Sequence, residues 1–399
     1  MAFLTNNPPF TTGRDVRFSS DGWIVASDQT IDTLAGNDLI DGQSGRTIDI
    51  GIEIVGGTLN LGFGKDTVKG LGRSSSRDTA GIKLLGKTVV DGVELGDATI
   101  DAGPDADTIR GIATSTDGAA VGLDVDGGKI DTGLSKDKIE GVGTSTNGPG
   151  SGIELFGGVV DTGLGSDRVV GNGVSVNGDA YGIDIFGRSV IDGIEIADAK
   201  IDTGRNRDKV TGTAATDAGS AFGIAIDGGK IDTGRSRDVI TGDAISGSGN
   251  AFGLRIFGGS IDTGAGNDVV IGSAVSDSGR AFGIFNDGVL DAGKGNDVFD
   301  ALVGGWGGRG RADLGAGNDV VRGFGSGTFD GGLGTDALTF NAGTYAIERV
   351  AGQRGVFQIT LDSQVWSPVM TVSDFEFFGE GDQQTSFAAA ASAGEITFV

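Results

Sequence analysis

One short phrase recurs along the chain: Ile-Asp-Thr-Gly, with its acid at Asp131, Asp202, Asp232 and Asp262. Near variants put Asp32, Asn60, Asp101, Asp161, Asp291, Asp313 and Asp330 in the same role. Successive intervals are 28, 41, 30, 30, 41, 30, 30, 29, 22 and 17 residues, a unit of about thirty that shortens toward the C-terminus. Two units carry eleven extra residues, at 88–95 and 189–196, and the two insertions resemble each other. Asn60, Asp161 and Asp262 lie 101 residues apart, which marks three units duplicated as a block. Each unit holds two apolar runs, such as Asp268-Val269-Val270-Ile271 and 221–226, where Phe222, Ile224 and Ile226 alternate as on one face of a strand. Neither run has a partner in its own unit, so each has to stack on its equivalent in the next. The predicted fold is therefore all-β, a right-handed parallel β-solenoid (β-helix or β-roll) with coils about 4.8 Å apart and a rod about 50 Å long.

Composition agrees and removes several kinds of chemistry. The 78 Gly and 5 Pro exclude a helical bundle, and 37% hydrophobic residues are too many for a disordered chain. A net charge of −25 repels phosphates and anionic headgroups, so cations are the expected partners, with no nucleic acid and no membrane insertion. Without His or Cys there is no Ser-His-Asp triad, no Cys-His pair, no zinc site built on them and no disulfide. Residues 1–9 show neither a basic nor a continuous apolar signal region, and no later stretch approaches a membrane span.

The turn between the two runs carries the chemistry. It is clearest at Gly264-Ala265-Gly266-Asn267-Asp268, and recurs at Gly293-Lys294-Gly295-Asn296-Asp297, Gly315-Ala316-Gly317-Asn318-Asp319 and Gly331-Gly332-Leu333-Gly334-Thr335-Asp336, with Leu34-Ala35-Gly36-Asn37-Asp38 near the N-terminus. Glycine permits positive φ, which turns carbonyls toward a common point where the Asp adds a carboxylate. Calcium takes about six to eight such oxygens. This pattern resembles the nonapeptide of the RTX (repeats-in-toxin, hemolysin-type calcium-binding repeat) family of secreted β-roll proteins, most closely over 262–340 and 32–42. The resemblance implies Ca²⁺ as cofactor, with Asp268, Asp297, Asp319 and Asp336 as side-chain ligands and the carbonyls of Gly264, Gly266, Gly293, Gly295, Gly315, Gly317, Gly332 and Gly334 completing the sites. Asn267, Asn296, Asn318, Asp38, Gly36, Asp66 and Asp167 join that set, the copies at 62–66 and 163–167 being isolated between imperfect neighbours. The resulting organisation is an N-terminal cap over 1–30, a β-solenoid over 31–290, an RTX-like calcium roll over 291–340, and a C-terminal cap with a type I secretion signal over 341–399.

The middle units depart from the pattern. Gly204-Arg205-Asn206-Arg207-Asp208 and Gly234-Arg235-Ser236-Arg237-Asp238 lose the second glycine and gain two arginines, and 133–138 brings in Lys136 and Lys138. Either these cations neutralise the Asp column in place of calcium, or they are solvated turn residues. The closing Glu395-Ile396-Thr397-Phe398-Val399 is similar to the uncleaved C-terminal signal of type I secretion substrates, or else is a strand of the cap.

The expected function is a secreted calcium-binding structural protein of the cell surface or extracellular matrix rather than an enzyme, in which calcium bridges successive turns, drives folding and supports self-association into a layer or filament. The alternative is a carbohydrate-active or carbohydrate-binding solenoid, lyase-like, epimerase-like or adhesive, acting on a surface polysaccharide. Its charged candidates, Lys83, Asp124, Glu154, Asp184 and Arg255, fall one per coil and read more simply as a solvated face. The aromatic columns Tyr181, Phe222, Phe252, Phe282 and Phe156, Phe186, Phe257 read as stacked core ladders, with a sugar platform as the other reading. The column Thr132, Thr162, Thr203, Thr233 and Thr263 reads as small turn residues rather than an ice-binding face.

Overall fold

The computed structural model describes residues 2–4, 10–11, 13–27, 29–44, 49–86, 89–90, 93–94, 96–187, 190–191, 194–195, 199–361, 368–379 and 384–399. Two long sheets, of 24 and 14 strands, run the length of the molecule and are built almost wholly by parallel stacking of successive coils. All eleven anchors fall in register: Asp32 pairs with Asn60, Asn60 with Asp101, and so on coil by coil through Asp291, Asp313 and Asp330. The chain is a parallel β-solenoid, and the 41-residue intervals add no coil.

The extra residues leave the wall instead. The strands Val89–Val90 and Val93–Glu94 form one antiparallel hairpin and Val190–Ile191 and Ile194–Glu195 another, each a separate two-stranded sheet.

Each central coil contributes four aliphatic side chains to one continuous core. In one such coil they are Ile224, Ile226, Ile231 and Ile240, all fully buried. Burying each is worth roughly 1.5–3 kcal/mol, and stacking one coil on the next extends the same four columns. Toward the C-terminus Phe299, Trp306 and Phe329 take over positions in these columns.

The two sheets approach closely through a pair of mid-strand glycines in each coil. A Cβ on Gly242 would lie 2.1 Å from the Gly253 carbonyl oxygen. Gly223 and its equivalents drop out of the ladder register, which breaks the alternation expected along 221–226. Phe222 consequently leaves the face of Ile224 and Ile226 and lies half-buried outside, where Arg255 sits over its ring at 5.5 Å. Tyr181, Phe222, Phe252 and Phe282 do stack, with centroids 4.8, 5.3 and 5.9 Å apart and planes within 19°. The second aromatic column is not continuous: Phe156 and Phe186 pack at 6.0 Å, whereas Phe257 is 56% exposed and makes its ring contact with Arg255.

Both ends of the core are closed. Leu4 and Phe10 are buried at the N-terminal end. At the other end Gly343–Arg349 pairs antiparallel with Val356–Leu361 and with Glu395–Phe398, and α1 (Phe387–Ala393) packs alongside. Phe340, Tyr345, Phe378 and Phe398 form one aromatic cluster there, so the closing pentapeptide is a strand of the cap. Trp366 lies outside the described residues. Among the described residues no helix is long and apolar enough to cross a membrane.

Candidate metal centre

The turn Asp is the most ordered polar element of the rod. Asp38, Asp66, Asp107, Asp137, Asp167, Asp208, Asp238, Asp268, Asp297, Asp319 and Asp336 form a single column, each at most 2% exposed. The backbone N–H of each donates to Oδ1 of the Asp in the following coil, as in Asp238 to Asp268 at 2.7 Å and Asp297 to Asp319 at 2.7 Å. Asp15 begins the ladder by donating to Asp38, and Glu376 of the cap ends it by accepting from the Asp336 N–H at 2.8 Å. A second ladder runs the opposite way: the N–H of Asn296 donates to Asn267, that of Asn318 to Asn296 and that of Thr335 to Asn318. The three asparagine carbonyls are thus engaged in holding coil to coil.

Only one oxygen of each carboxylate is used. Oδ2 of all eleven aspartates is buried without a hydrogen-bond partner. An ionised carboxylate in that state is costly, and the column shows it. Burial, reinforced by the like charges above and below, pushes Asp107 and Asp238 up to about 8, and Asp297 and Asp336 to about 7. Burial alone carries Asp268 and Asp319 to about 6, each N–H bond received pulling the other way.

The backbone distinguishes the turns. Gly264, Gly293 and Gly315 have φ of 78°, 82° and 92°, and their carbonyls each accept one ladder N–H, leaving a second lone pair. At the second glycine there is no room for a side chain: a Cβ on Gly295 would lie 1.2 Å from the Gly266 oxygen, and one on Gly334 1.5 Å from the Gly317 oxygen. Asn206 and Ser236 carry a Cβ at that position and take φ of 91° and 92°, against 135° at Gly295. The Arg-bearing turns therefore have a different backbone path. Near the N-terminus, Leu34 adopts φ of 70° in place of the first glycine, and its turn bridges directly to that of Asp66 through Ala35 and Phe63. Asp38 and Asp66 are accordingly adjacent members of a pair, whereas Asp167 stands between turns with Ser135 and Asn206 at the second-glycine position.

Among the described residues no three acidic side chains converge on one point. A cation here would draw on backbone oxygens as well as carboxylates, which suits calcium, an oxygen-seeking ion of flexible geometry, and not zinc. The orphaned Oδ2 atoms and the glycine carbonyls fit that requirement best where glycine-rich turns are consecutive: 264–268, 293–297, 315–319 and 332–336, and the pair 34–38 and 62–66.

The arginines do not neutralise this column. Arg205, Arg207, Arg235 and Arg237 are exposed, and among the described residues none forms an ion pair. A different acid column is neutralised, by lysines two residues before the anchors. Lys129 bridges Asp131 and Asp161, Lys200 bridges Asp202 and Asp232, and Lys230 bridges Asp232 and Asp262, at 2.6–3.3 Å. The threonine column is buried, at most 1% exposed from Thr132 to Thr263, with hydroxyls beside the Asp column that offset only part of the rise that burial imposes on Asp137, Asp167, Asp208, Asp238 and Asp268. It offers no surface to ice.

The charged column on the outer face is not a solvated one. Lys83 is paired with Asp124, burial raises Glu154 to about 7, and Asp184 is 3% exposed and raised well above the carboxylate range by burial and the neighbouring Glu154. The aromatic rings beside it spend their faces on one another, which leaves little ring face for a sugar. Sequence reasoning also missed a serine ladder at the opposite turn: Ser145, Ser175, Ser246 and Ser276 each donate to a glycine carbonyl of the preceding coil and accept a glycine N–H of their own. Its signal, Ser followed three residues later by Gly, is present in each of those units.

No protein-family model matches the chain, and comparison with curated proteins finds no match.

Proposed function

We propose that the chain is a secreted, RTX-like calcium-binding structural protein of the cell surface or extracellular matrix. The single observation that supports this reading is the column of buried carboxylate oxygens without partners. Eleven such atoms along one line oppose folding unless protons or cations meet them. In this reading Asp268, Asp297, Asp319 and Asp336, with carbonyls of the accompanying glycines, hold calcium in the C-terminal coils, and Asp38 with Asp66 does so near the N-terminus. Calcium supplies positive charge between stacked turns and so couples folding to the external medium. The chain would leave the cell by type I secretion with Glu395–Phe398 as part of its address, fold where calcium is plentiful, and serve as scaffold, not enzyme, in a layer or filament.

The test is light scattering with negative-stain microscopy on purified protein, first in chelator and then in millimolar calcium, alongside calcium titration calorimetry. Calcium uptake with formation of filaments or sheets is expected. Absence of calcium binding at millimolar concentration would overturn the reading. Binding without assembly would retain the metal site and remove the layer.

A further inference from the structure

Against its net charge of −25, the rod carries among its described residues a row of turn cations without ion-pair partners. Arg205 and Arg207 in one coil stack on Arg235 and Arg237 in the next, through a parallel bridge between Arg205 and Arg235. The bridge continues through Ala265 to Lys294. All five side chains are exposed, and among the described residues none has an ion-pair partner. A shallow open groove of about 720 Å³ runs beneath them, lined by Arg207, Arg237 and Lys294 with Ser236, Ala265 and Asn267 between. No acidic side chain lines it, because Asp238 and Asp268 are buried under the turn.

We propose that this groove binds an extended anionic polysaccharide, carboxylated or sulfated, laid along the rod axis. Arg207 and Arg237 lie one coil apart and Lys294, in the register of Arg235, two coils farther on, so the three span about 14 Å with the uncharged turn of Ala265 and Asn267 between them. Guanidinium groups present a planar fork that matches carboxylate and sulfate oxygens in pairs. The acids nearest the row, Asp208, Asp238 and Asp268, are buried behind the turn, so the wall that meets a ligand is cationic. The small residues Ser236, Ala265 and Gly266 keep the groove shallow and open to solvent, as a linear chain needs. Nucleic acid fits less well, since no aromatic side chain lines the groove to stack a base. An anionic membrane would meet the acidic remainder of the rod. The groove shares Gly266, Asn267 and Gly295 with the turns assigned to calcium, so the test is run both without and with the metal.

Full-length protein in chelator and in calcium is titrated with dextran sulfate, polygalacturonate, neutral dextran, duplex DNA and anionic vesicles. The readouts are affinity electrophoresis for the polysaccharides and DNA, sedimentation for the vesicles, and static light scattering throughout. Binding of dextran sulfate or polygalacturonate but not neutral dextran is expected, weakening at least tenfold from about 50 to 200 mM salt. The double variant Arg207→Glu, Arg237→Glu loses at least tenfold in affinity and Arg207→Gln, Arg237→Gln loses less, while Arg354→Glu binds as the parent does; circular dichroism confirms that each is folded. The relative affinity for the two anions identifies the preferred group. No binding of either anion, equal loss in Arg354→Glu, equal affinity for DNA or vesicles, or a double variant that changes only self-association would each overturn the proposal.

Discussion

Removing calcium at different pH values probes the carboxylate column directly. Asp268, Asp297, Asp319 and Asp336 are at most 1% exposed and sit at about 6, 7, 6 and 7 in the folded chain, against 3.8 for a free carboxyl. A tenfold change in proton affinity corresponds to about 1.4 kcal/mol, so ionising one of these groups costs the fold about 3–4 kcal/mol and ionising all four costs on the order of 10. That is comparable with the whole stability of an ordinary domain, about 5–15 kcal/mol. The folded state binds protons that the unfolded state does not, so stability is greatest near pH 4 and falls as pH rises through 6 and 7. Asp232, lowered by Lys230 and Lys200, loses its contribution only on further acidification. In chelator, the C-terminal coils are therefore expected to be folded near pH 5 and unfolded at pH 8, and calcium at pH 8 restores them by replacing the protons. Urea unfolding followed by circular dichroism, with hydrogen exchange to place the change in 262–340, checks this. Calcium-free stability that is level from pH 5 to 8, or rises with pH, would refute the reasoning.

Further substitutions test separate parts of the account. Asp297→Asn keeps an acceptor for the Asp268 N–H but removes a charge, and should reduce the number of calcium ions bound in calorimetry while leaving the chelator-treated protein no less stable at pH 8. Gly295→Ala places a Cβ against the Gly266 carbonyl and should lower thermal stability by more than about 3 kcal/mol, with the loss concentrated in the C-terminal coils. Ile240→Ala empties one of the four core columns and should cost about 2–5 kcal/mol in urea unfolding. Lys230→Ala breaks bridges to Asp232 and Asp262 but, at 35% side-chain exposure, should cost about 1 kcal/mol or less, and less still at high salt.

Register was legible in the sequence because the anchor Asp and the aliphatic before it repeat together, and a one-residue slip would reverse every side chain. The turn glycines and the Asp that follows were legible for the same reason. The use of that Asp was not. Its Oδ1 answers to a backbone N–H one coil away, 22 to 41 residues distant in sequence, and nothing local marks which oxygen is left over. The position of Phe222 was misread because period-two counting assumes an unbroken strand, whereas Gly223 is a kink that lets two sheets touch. Sequence left two readings of the arginines open, neutralising the neighbouring acid or solvated at the turn, and the second holds: Asp208 is buried and Arg207 exposed, while Lys200 and Lys230, farther from that turn, take the anchor column. Adjacent residues in a strand or tight turn can belong to opposite sides of a wall, and sequence proximity is then the wrong measure.

The opposed Asn ladder runs over 267–335, whereas the Asp ladder gives each coil the same bond to its neighbours. Each accepts a bond from the coil before through Asp and offers one to the coil after, so excision of 209–238 would leave the Asp208 N–H to donate to Asp268 in place of Asp238. Only Asp15 and Glu376, at the two extremities, have no such equivalent. The rod's length can accordingly be altered in steps of one coil, about 4.8 Å, without redesigning either end. Its reach is a number of copies, set independently of the chemistry that terminates it.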